Sequence, residues 1–315
     1  MTELDRMILL MRRGMGISKE IAKLVSNLFK KLTRAINLNK PIAENIAEIN
    51  KIFKDIDLSD DIAGKLLAVS GATVKIYSDL TPIKPTKALI NRSLNKVMPD
   101  SNQTIKQGIE RTENLTKTSV INYTHQAHDN GWTNKELGAA LKTTEAQTVR
   151  HVQTIANTAV SAAANQTKTE LFKANGIDQV IYTATLDGRT SDFCMSMDGK
   201  VFDIDDAPSI PAHYNCRSTT VPLMEGENAN DVMNELLPRP NVTAKDYNKE
   251  DGDYSLKGGM SQSKNYETWL KKQPAYYQKD IIGVKASKEF RDGKPLKDVI
   301  KTSPITEDYL NKALN

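Results

Sequence analysis

Hydrophobic residues recur every three or four positions over residues 21–69, a spacing that places them on one face of a helix. The pattern predicts three amphipathic helices, which begin near Ser18, Pro41 and Ser59. Gly71 is the predicted end of the third helix. Two closely spaced prolines at positions 82 and 85 then favour extended backbone, so we expect a linker after this helical module.

The helical spacing continues beyond the linker with a more polar composition. It predicts helices over residues 88–98 and 101–130. Two capping boxes follow in tandem, Thr133-Asn134-Lys135-Glu136 and Thr144-Glu145-Ala146-Gln147, each with an acid or amide three residues after a hydroxyl. They predict a short helix and then a separate long helix over residues 149–175.

After Gly176 the sequence becomes typical of β structure. Residues 180–185 and 200–202 read as strands, and Asp-Gly pairs at 187–188 and 198–199 read as turns. This region predicts a small antiparallel β unit. Residues 225–264 are rich in Asn, Asp, Gly and Ser and predict loop, after which helical spacing returns.

The predicted fold is therefore a mostly helical α+β class, in which a helical core carries one small β unit. The predicted segments are a basic N-terminal helical module (1–80), a linker (81–86), a long-helix core (87–176), a small antiparallel β unit with a Cys/His/Arg motif (177–224), a loop-rich connection (225–264) and C-terminal helices (265–315).

Positive charge is concentrated at the N-terminus. The chain carries a net charge of +4, but its first 40 residues hold nine Lys or Arg against three Asp or Glu. Such a segment can contact DNA, an acidic protein face or a membrane surface; a merely solvated, lysine-rich helix face is an equal alternative. The candidate contacts with DNA or a partner protein are Arg12, Arg13, Lys30 and Lys31.

No segment has the roughly 20 apolar residues that a membrane-spanning helix needs. The apolar stretch over residues 7–11 is followed at once by two arginines, and no small-residue cleavage site appears, so we expect no signal peptide. Two cysteines are too few for a disulfide scaffold. These features predict a protein made in a reducing cytoplasm.

Thiol and imidazole groups are concentrated in the predicted β unit. Both cysteines, Cys194 and Cys216, flank His213 with the spacing C-x18-H-x2-C. A structural zinc site has four nitrogen or sulfur ligands, and this region supplies three; Ser218 stands where a fourth is expected. Three interpretations stay open: zinc or a related metal held by these three residues, plain packing of two small thiols, or a disulfide.

Aspartate and arginine side chains accompany the cysteines. An arginine can donate in a fork to a carboxylate or to carbonyl groups, so such pairs hold turns in place. We interpret these side chains as structural groups that keep the β unit in shape, and not as catalytic residues. They are Asp187, Arg189, Thr190, Asp198 and Arg217.

The order of these motifs resembles a known family. The residues that carry the resemblance are Asp187, Arg189, Thr190 and Cys194, then Asp198-Gly199-Lys200-Val201-Phe202, then Pro211, His213, Cys216 and Arg217. This pattern is similar to the phage Mu F-type head morphogenesis (minor capsid) protein family. A preceding helix with Ala162-Ala163-Ala164-Asn165 and a tail with Tyr266-Glu267-Thr268-Trp269-Leu270 extend the resemblance to roughly residues 86–300. One departure is Ser218, where the family usually has a second cysteine after Cys216.

The resemblance implies a non-enzymatic, minor structural protein of a tailed-phage head. It implies a location in the virion, inside the capsid near the portal vertex, after synthesis in the host cytoplasm. It also implies partners: the portal protein, other capsid components and, without sequence specificity, the packaged DNA. The role that it implies is assistance in head assembly or in DNA packaging or ejection.

Two other function classes compete with this interpretation. Residues 133–152 superficially fit a helix-turn-helix, with a turn at Lys142-Thr143-Thr144 and Gln147 and Arg150 on the second helix. An enzyme is the second alternative, either metal-dependent or with Cys194 as nucleophile and His213 as base. Against an enzyme, the sequence has no P-loop, no H-E-x-x-H and no G-x-S-x-G motif.

Overall fold

The computed structural model describes residues 3–55, 58–248, 250 and 252–314, without the side chains of residues 3, 4, 7, 8, 10–14, 58 and 59. Over these ranges the chain is mostly helical with small antiparallel sheets, so the predicted mostly helical α+β class is confirmed. None of the described helices is long and apolar enough to cross a membrane.

The first three helices are α1 (Glu3–Ala35), α2 (Ile42–Lys54) and α3 (Leu58–Ile76). α1 begins well before Ser18, the predicted start, while the side chain of Ser59, the predicted cap of the third helix, lies outside the described residues. α3 continues past Gly71 because Thr73 and Val74 are buried in the following turn. Their burial outweighs the roughly 1 kcal/mol that a glycine costs inside a helix.

Two shorter elements connect the linker to the longest helices. α4 (Lys87–Asn95) is followed by an antiparallel pair of two-residue strands, β1 (Val97–Met98) and β2 (Gln103–Thr104), and then by α5 (Ile105–Asp129). The predicted helix over 101–130 therefore begins later. Its start is fixed by a capping box in which the Thr104 hydroxyl accepts from the Gln107 amide and the Gln107 side chain accepts from the Thr104 amide.

α6 (Asn134–Ala174) is one continuous helix, which corrects the prediction of two helices. The capping box at Thr133 forms as predicted, but Thr144 lies inside the helix and caps nothing. Leu141, Thr144 and Thr148 lie on the buried side of the helix, so ending the helix there would expose that side to water. The turn that a helix-turn-helix requires is therefore replaced by helix, and that interpretation is wrong.

One hydrophobic core joins the N-terminal helices to α5 and α6. Ile21, Val25 and Leu32 of α1 pack in the same cluster as residues of the long helix. The small side chains of Ala156 and Ala163 are fully buried there and let neighbouring helices approach closely. The division of the chain into six segments stays a prediction, although the apolar face of the first module is covered within this chain.

The β unit follows α6 and is built around β3 (Gln179–Thr183). β4 (Val201–Asp203) and β5 (Thr219–Leu223) pair with its two edges in antiparallel register. Between β3 and β4 lies a short helix, α7 (Asp192–Met197), which the sequence pattern did not predict. Its start is capped by Ser191, whose hydroxyl accepts from the Cys194 amide.

Residues 225–264, which the composition predicted to be loop, contain a helix and a hairpin. These are α8 (Ala229–Glu235), β6 (Arg239–Lys245) and β7 (Ser255–Ser261), the last two paired in antiparallel register. β7 is rich in Ser, Gly and Lys and is almost entirely exposed. Backbone hydrogen bonds and not burial define this strand, so its composition resembles that of a loop.

The C-terminal segment returns to helix as predicted and packs over the β unit. Its elements are α9 (Tyr266–Lys271), α10 (Ala275–Ile282), α11 (Val284–Arg291), α12 (Leu296–Val299) and α13 (Pro304–Lys312). Tyr266 and Trp269 form a second core with Leu186, which immediately precedes the Asp187 turn. The ring of Tyr309 packs edge-on against Phe193 of α7. The tail therefore supports the elements that hold the Cys/His motif.

Candidate functional site: a Cys/His cluster held by two carboxylate–arginine pairs

The structure brings Cys194, His213 and Cys216 together. Cys194 lies in the first turn of α7, and the loop before β5 carries the other two. The Cys194 sulfur is 3.4 Å from His213 Nε2 and 3.8 Å from the Cys216 sulfur. All three side chains place their potential ligand atoms within 4.8 Å of one another.

The loop that carries His213 and Cys216 is fixed from two sides. The Cys216 amide donates to the His213 carbonyl over 3.2 Å, which closes a tight turn between them. Asn215 in this turn has a φ of +57°, a left-handed conformation that asparagine tolerates. Its amide donates to the Thr158 hydroxyl of α6 over 2.9 Å. The long helix therefore sets the position of the loop.

The imidazole of His213 has a defined orientation. Its Nδ1 lies 2.8 Å from the carbonyl oxygen of Tyr214, so an Nδ1–H donates there and Nε2 faces the sulfurs. A backbone carbonyl on the remote nitrogen is a common way of orienting a metal-ligating histidine. Nε2 is thus the nitrogen that would contact a metal ion held by the two sulfurs.

The two cysteines are free and buried, and their sulfurs are not bonded. Hydrogen bonding with Cys216 and burial raise the pKa of Cys194 well above its usual value. The hydrogen bond from Cys194, together with His213, lowers the pKa of Cys216 despite its burial. Burial lowers the pKa of His213, but the hydrogen bond and charge of Cys216 raise it by more. Of the two thiols, Cys216 is therefore the one whose surroundings favour the thiolate.

Asp187 is the centre of the turn that precedes α7. Its carboxylate accepts both guanidinium Nη atoms of Arg217, with 2.8 Å between Nη2 and Oδ1, and also accepts the Arg189 amide over 2.9 Å. Burial raises the pKa of this carboxyl, but the hydrogen bonds and charge of Arg217 more than offset it, so the pKa lies below its usual value. The backbone carbonyl of Asp187 accepts the Tyr266 hydroxyl of α9 over 2.7 Å.

The other predicted structural residues of this turn have different roles. The Thr190 hydroxyl donates to the Thr185 carbonyl over 2.6 Å and closes the turn. The side chain of Arg189 is 81% exposed and reaches Asp187 only at 3.7 Å. Arg189 therefore contributes mainly its backbone amide, whereas the half-buried Arg217 supplies the fork that the sequence predicted.

A second carboxylate–arginine pair involves Asp198 and a residue that the sequence reasoning missed, Arg239. The guanidinium lies 2.9 and 3.1 Å from the two carboxylate oxygens and also donates to the carbonyls of Ala184 and Lys264. Arg239 begins β6, inside the segment predicted to be loop. It is the lone arginine between positions 225 and 264 and stands between two prolines, the signal that could have identified it.

A second buried cation of this region, Lys168, was also missed. It lies on α6, is 1% exposed, and its ammonium donates to the Thr220 carbonyl over 2.9 Å and to the Thr219 hydroxyl. These bonds attach the start of β5 to the long helix. The cysteine-bearing loop immediately precedes that strand, so Lys168 helps to position it.

The basic candidates are on a different element from this cluster. Lys30 and Lys31 are exposed on α1, as are Lys19, Lys23 and Arg34. The side chains of the other two candidates, Arg12 and Arg13, lie outside the described residues. The structure therefore separates the predicted contact surface from the Cys/His cluster.

Comparison with known proteins gives one match. Residues 118–221 match the sequence model of a family described as "Phage Mu protein F like protein". No curated protein and no solved structure matches the chain. The matched segment runs from α5 through α6 to β5 and contains the residues from Asp187 to Arg217 on which the resemblance was based.

The match supports a phage head morphogenesis protein of the virion as the class of protein. It covers the Cys/His cluster and the Asp187–Arg217 pair, while Arg239 lies beyond it. The match over residues 118–221 confirms the resemblance to the phage Mu F-like family over that segment.

Proposed function

We propose that this chain is a minor structural protein of a tailed-phage head, located inside the capsid at the portal vertex, where it assists head assembly and the packaging or ejection of DNA. The observation that carries the proposal is the family match over residues 118–221, which contains the whole of α6 and the Cys/His cluster. The matched range also contains β3, β4 and the loop fixed by Arg217 and Lys168.

The buried state of the cluster favours a structural role over an enzymatic one. Cys194 and Cys216 are 1% and 3% exposed. The cavity beside them has a volume of about 10 Å³, which is room for a water molecule and not for a substrate. A nucleophilic cysteine needs access to its substrate, so the catalytic interpretation of Cys194 and His213 has little support.

A basic stripe on α1 supports contact with the packaged DNA. We define this stripe as Lys19, Lys23, Lys30 and Arg34, all exposed, at spacings of four, seven and four residues. These spacings place the four side chains within an arc of roughly 60° and along about 22 Å of helix. The one acidic residue between positions 15 and 35, Glu20, is paired with Lys65 of α3 at 2.5 Å.

Such a stripe fits a row of phosphates without reading bases. Lysine and arginine side chains that neutralise phosphates give sequence-independent, salt-sensitive binding. The opposite side of α1 is buried in the core, so the stripe is held on a fixed surface. A helix-turn-helix reader is not an alternative source of DNA binding, because α6 is continuous where its turn would be.

The test is assembly with the portal. The full chain is co-expressed with the portal protein of the same phage, and the complex is isolated by size. We expect stable co-purification and, in purified particles, detection of the chain by mass spectrometry at few copies per virion. Absence from particles of a phage that encodes it would overturn the proposal. Presence in the shell without binding to the portal would overturn its location.

A further inference from the structure

We propose that Cys194, His213 and Cys216 hold one zinc ion, whose fourth ligand is a water molecule in the small cavity beside Ser218. The proposal concerns this cluster alone and does not depend on the role of the protein in the phage head. Its basis is the geometry of three side chains that converge from α7 and from the loop before β5.

The distances between the ligand atoms match the edges of a zinc tetrahedron. Zinc–sulfur bonds of about 2.3 Å and zinc–nitrogen bonds of about 2.0–2.1 Å give edges of about 3.8 Å between two sulfurs and about 3.6 Å between sulfur and nitrogen. The corresponding distances here are 3.8 Å between the two sulfurs and 3.4 Å between the Cys194 sulfur and His213 Nε2. Both agree within the roughly 0.2 Å that a metal site allows.

The surroundings have the features of a metal-ligand environment. His213 donates Nδ1–H to the Tyr214 carbonyl and turns Nε2 toward the sulfurs. The Tyr182 hydroxyl lies 3.2 Å from the Cys194 sulfur, where it can donate to a thiolate. Two cysteine sulfurs and one imidazole form a soft ligand set that selects zinc over magnesium or calcium.

Two of the three ligand residues, Cys194 and His213, line a small cavity together with Ser218, and we assign the fourth position to this cavity. Its volume of about 10 Å³ fits one water, for which the polar side chains around it provide hydrogen-bond partners. Ser218 is buried and lines the same cavity as Cys194 and His213, so its side chain lies beside the ligand set. A thiol at position 218 would therefore come within reach of the ion and replace the water.

The ion would have a structural task. It would join the first turn of α7 to the loop that α6 positions through Thr158, and so add a direct link to the apolar packing and the Asp187–Arg217 pair that also hold these parts together. In a domain whose β unit has three short strands, a metal link of this kind contributes directly to folding stability.

The experiment uses the full chain, purified from zinc-supplemented cells and analysed for metal content. We expect about one zinc per wild-type chain, and loss of that zinc in His213→Ala and Cys216→Ser. His151→Ala, which removes an exposed histidine of α6, is the matched control and should keep the metal. Replacing zinc with Co²⁺ should give the thiolate charge-transfer and tetrahedral absorption bands in wild type and not in His213→Ala.

Ser218→Cys keeps the test decisive if the loss-of-ligand variants fail to fold. It should lower the zinc dissociation constant more than about tenfold and strengthen the thiolate absorption of the Co²⁺ form, because a third thiolate replaces water. In wild type, a zinc chelator should lower the melting temperature and make both thiols reactive. Folded wild type that binds neither zinc nor Co²⁺, or that binds zinc equally well after His213→Ala, would overturn the proposal.

Discussion

Arg239 and Asp198 form a fully buried ion pair across 41 residues of sequence, and the same guanidinium donates to the carbonyls of Ala184 and Lys264. One side chain thereby joins β6, the strand end at Ala184 and the approach to α9. The Asp198 carboxylate is shared, since its Oδ1 also accepts the Ala184 amide over 2.6 Å. This pair and the backbone bridge between Leu186 and Asn241 attach the hairpin to the Cys/His unit.

Replacing Arg239 with methionine should strongly destabilise the protein, because it leaves the Asp198 charge buried and unpaired. We expect a loss of about 3–5 kcal/mol in the free energy of unfolding, measured by urea denaturation. Arg34→Met, on an exposed face of α1, is the control and should change stability by less than about 0.5 kcal/mol. Asp198→Asn should recover part of the loss in the double variant, since an amide oxygen still accepts from Ala184. Equal losses in the Arg239 and Arg34 variants would contradict this account.

Because of the Asp187 carboxyl, we expect the free energy of unfolding to fall at acidic pH. Its pKa in the folded chain lies below the ordinary value of 3.8, as Arg217 outweighs the effect of burial. A carboxyl with a depressed folded-state pKa contributes stability that is present above its unfolded pKa and is lost as the pH falls through the folded one. Urea titrations from about pH 5 to about pH 2 should therefore show stability falling below about pH 4.

Asp187→Asn measures how much of the change in stability with pH, the acid slope, comes from this carboxyl. The variant should be less stable than wild type at neutral pH, and its stability should fall less steeply in acid. Asp178→Asn, which changes an exposed carboxyl beside β3, should keep the wild-type slope. If both variants keep that slope, the Asp187–Arg217 pair does not govern the acid response.

Gly108 and Gly138 should respond oppositely to alanine, although both lie inside helices. A Cβ on Gly138 has nothing within 4 Å, so Gly138→Ala should stabilise the protein by up to about 1 kcal/mol. A Cβ on Gly108 would be 2.3 Å from the Tyr214 hydroxyl and 3.2 Å from the ring carbon that bears it. Gly108→Ala should therefore displace Tyr214, whose neighbour His213 belongs to the cluster.

Thermal unfolding measures both effects. We expect a higher melting temperature for Gly138→Ala and a lower one for Gly108→Ala. Adding Tyr214→Phe to Gly108→Ala should restore part of the loss, because the closest clashing atom is removed. A stabilising Gly108→Ala would show that the Tyr214 ring moves aside freely and does not fix the loop.

The sequence was sufficient for features that depend on local spacing. Periodic apolar residues predicted the helices of the N-terminal module, and the Thr133 capping box forms as written. The convergence of Cys194 with His213 and Cys216 was also expected, because family-like motifs placed them on neighbouring turns. These cases share a short-range signal that tertiary packing reinforces.

The sequence-based predictions that were wrong share one physical cause, which is packing between segments that are distant in sequence. Thr144 looks like a cap, but its burial against the helical core keeps α6 continuous. The hairpin of β6 and β7 depends on strand pairing and on Arg239, whose partner is 41 residues away. Neither contact has a local pattern, so the capping-box motif predicted a helix start at Thr144 and the composition predicted a loop over residues 225–264.

The basic stripe on α1 predicts that DNA binding depends on where the four cations lie and not only on the net charge of the chain. For the wild-type chain, the logarithm of the DNA-binding constant should fall linearly with the logarithm of the salt concentration. Changing Lys19, Lys23, Lys30 and Arg34 together to glutamine should reduce that slope by about 3 to 4, since each neutralised phosphate contributes about 0.9. Random duplexes and fluorescence anisotropy across a salt series give the slope.

The matched control removes the same charge elsewhere. Lys257, Lys279, Lys288 and Lys297 are exposed on the hairpin and the C-terminal helices, and their glutamine variant should keep nearly the wild-type slope. If the two quadruple variants lose affinity equally, overall charge drives DNA binding and the stripe has no special part in it. If only the α1 variant loses affinity for DNA, then α1 is the surface that faces DNA. Its four cations lie along one exposed line, on the side of the helix opposite the core.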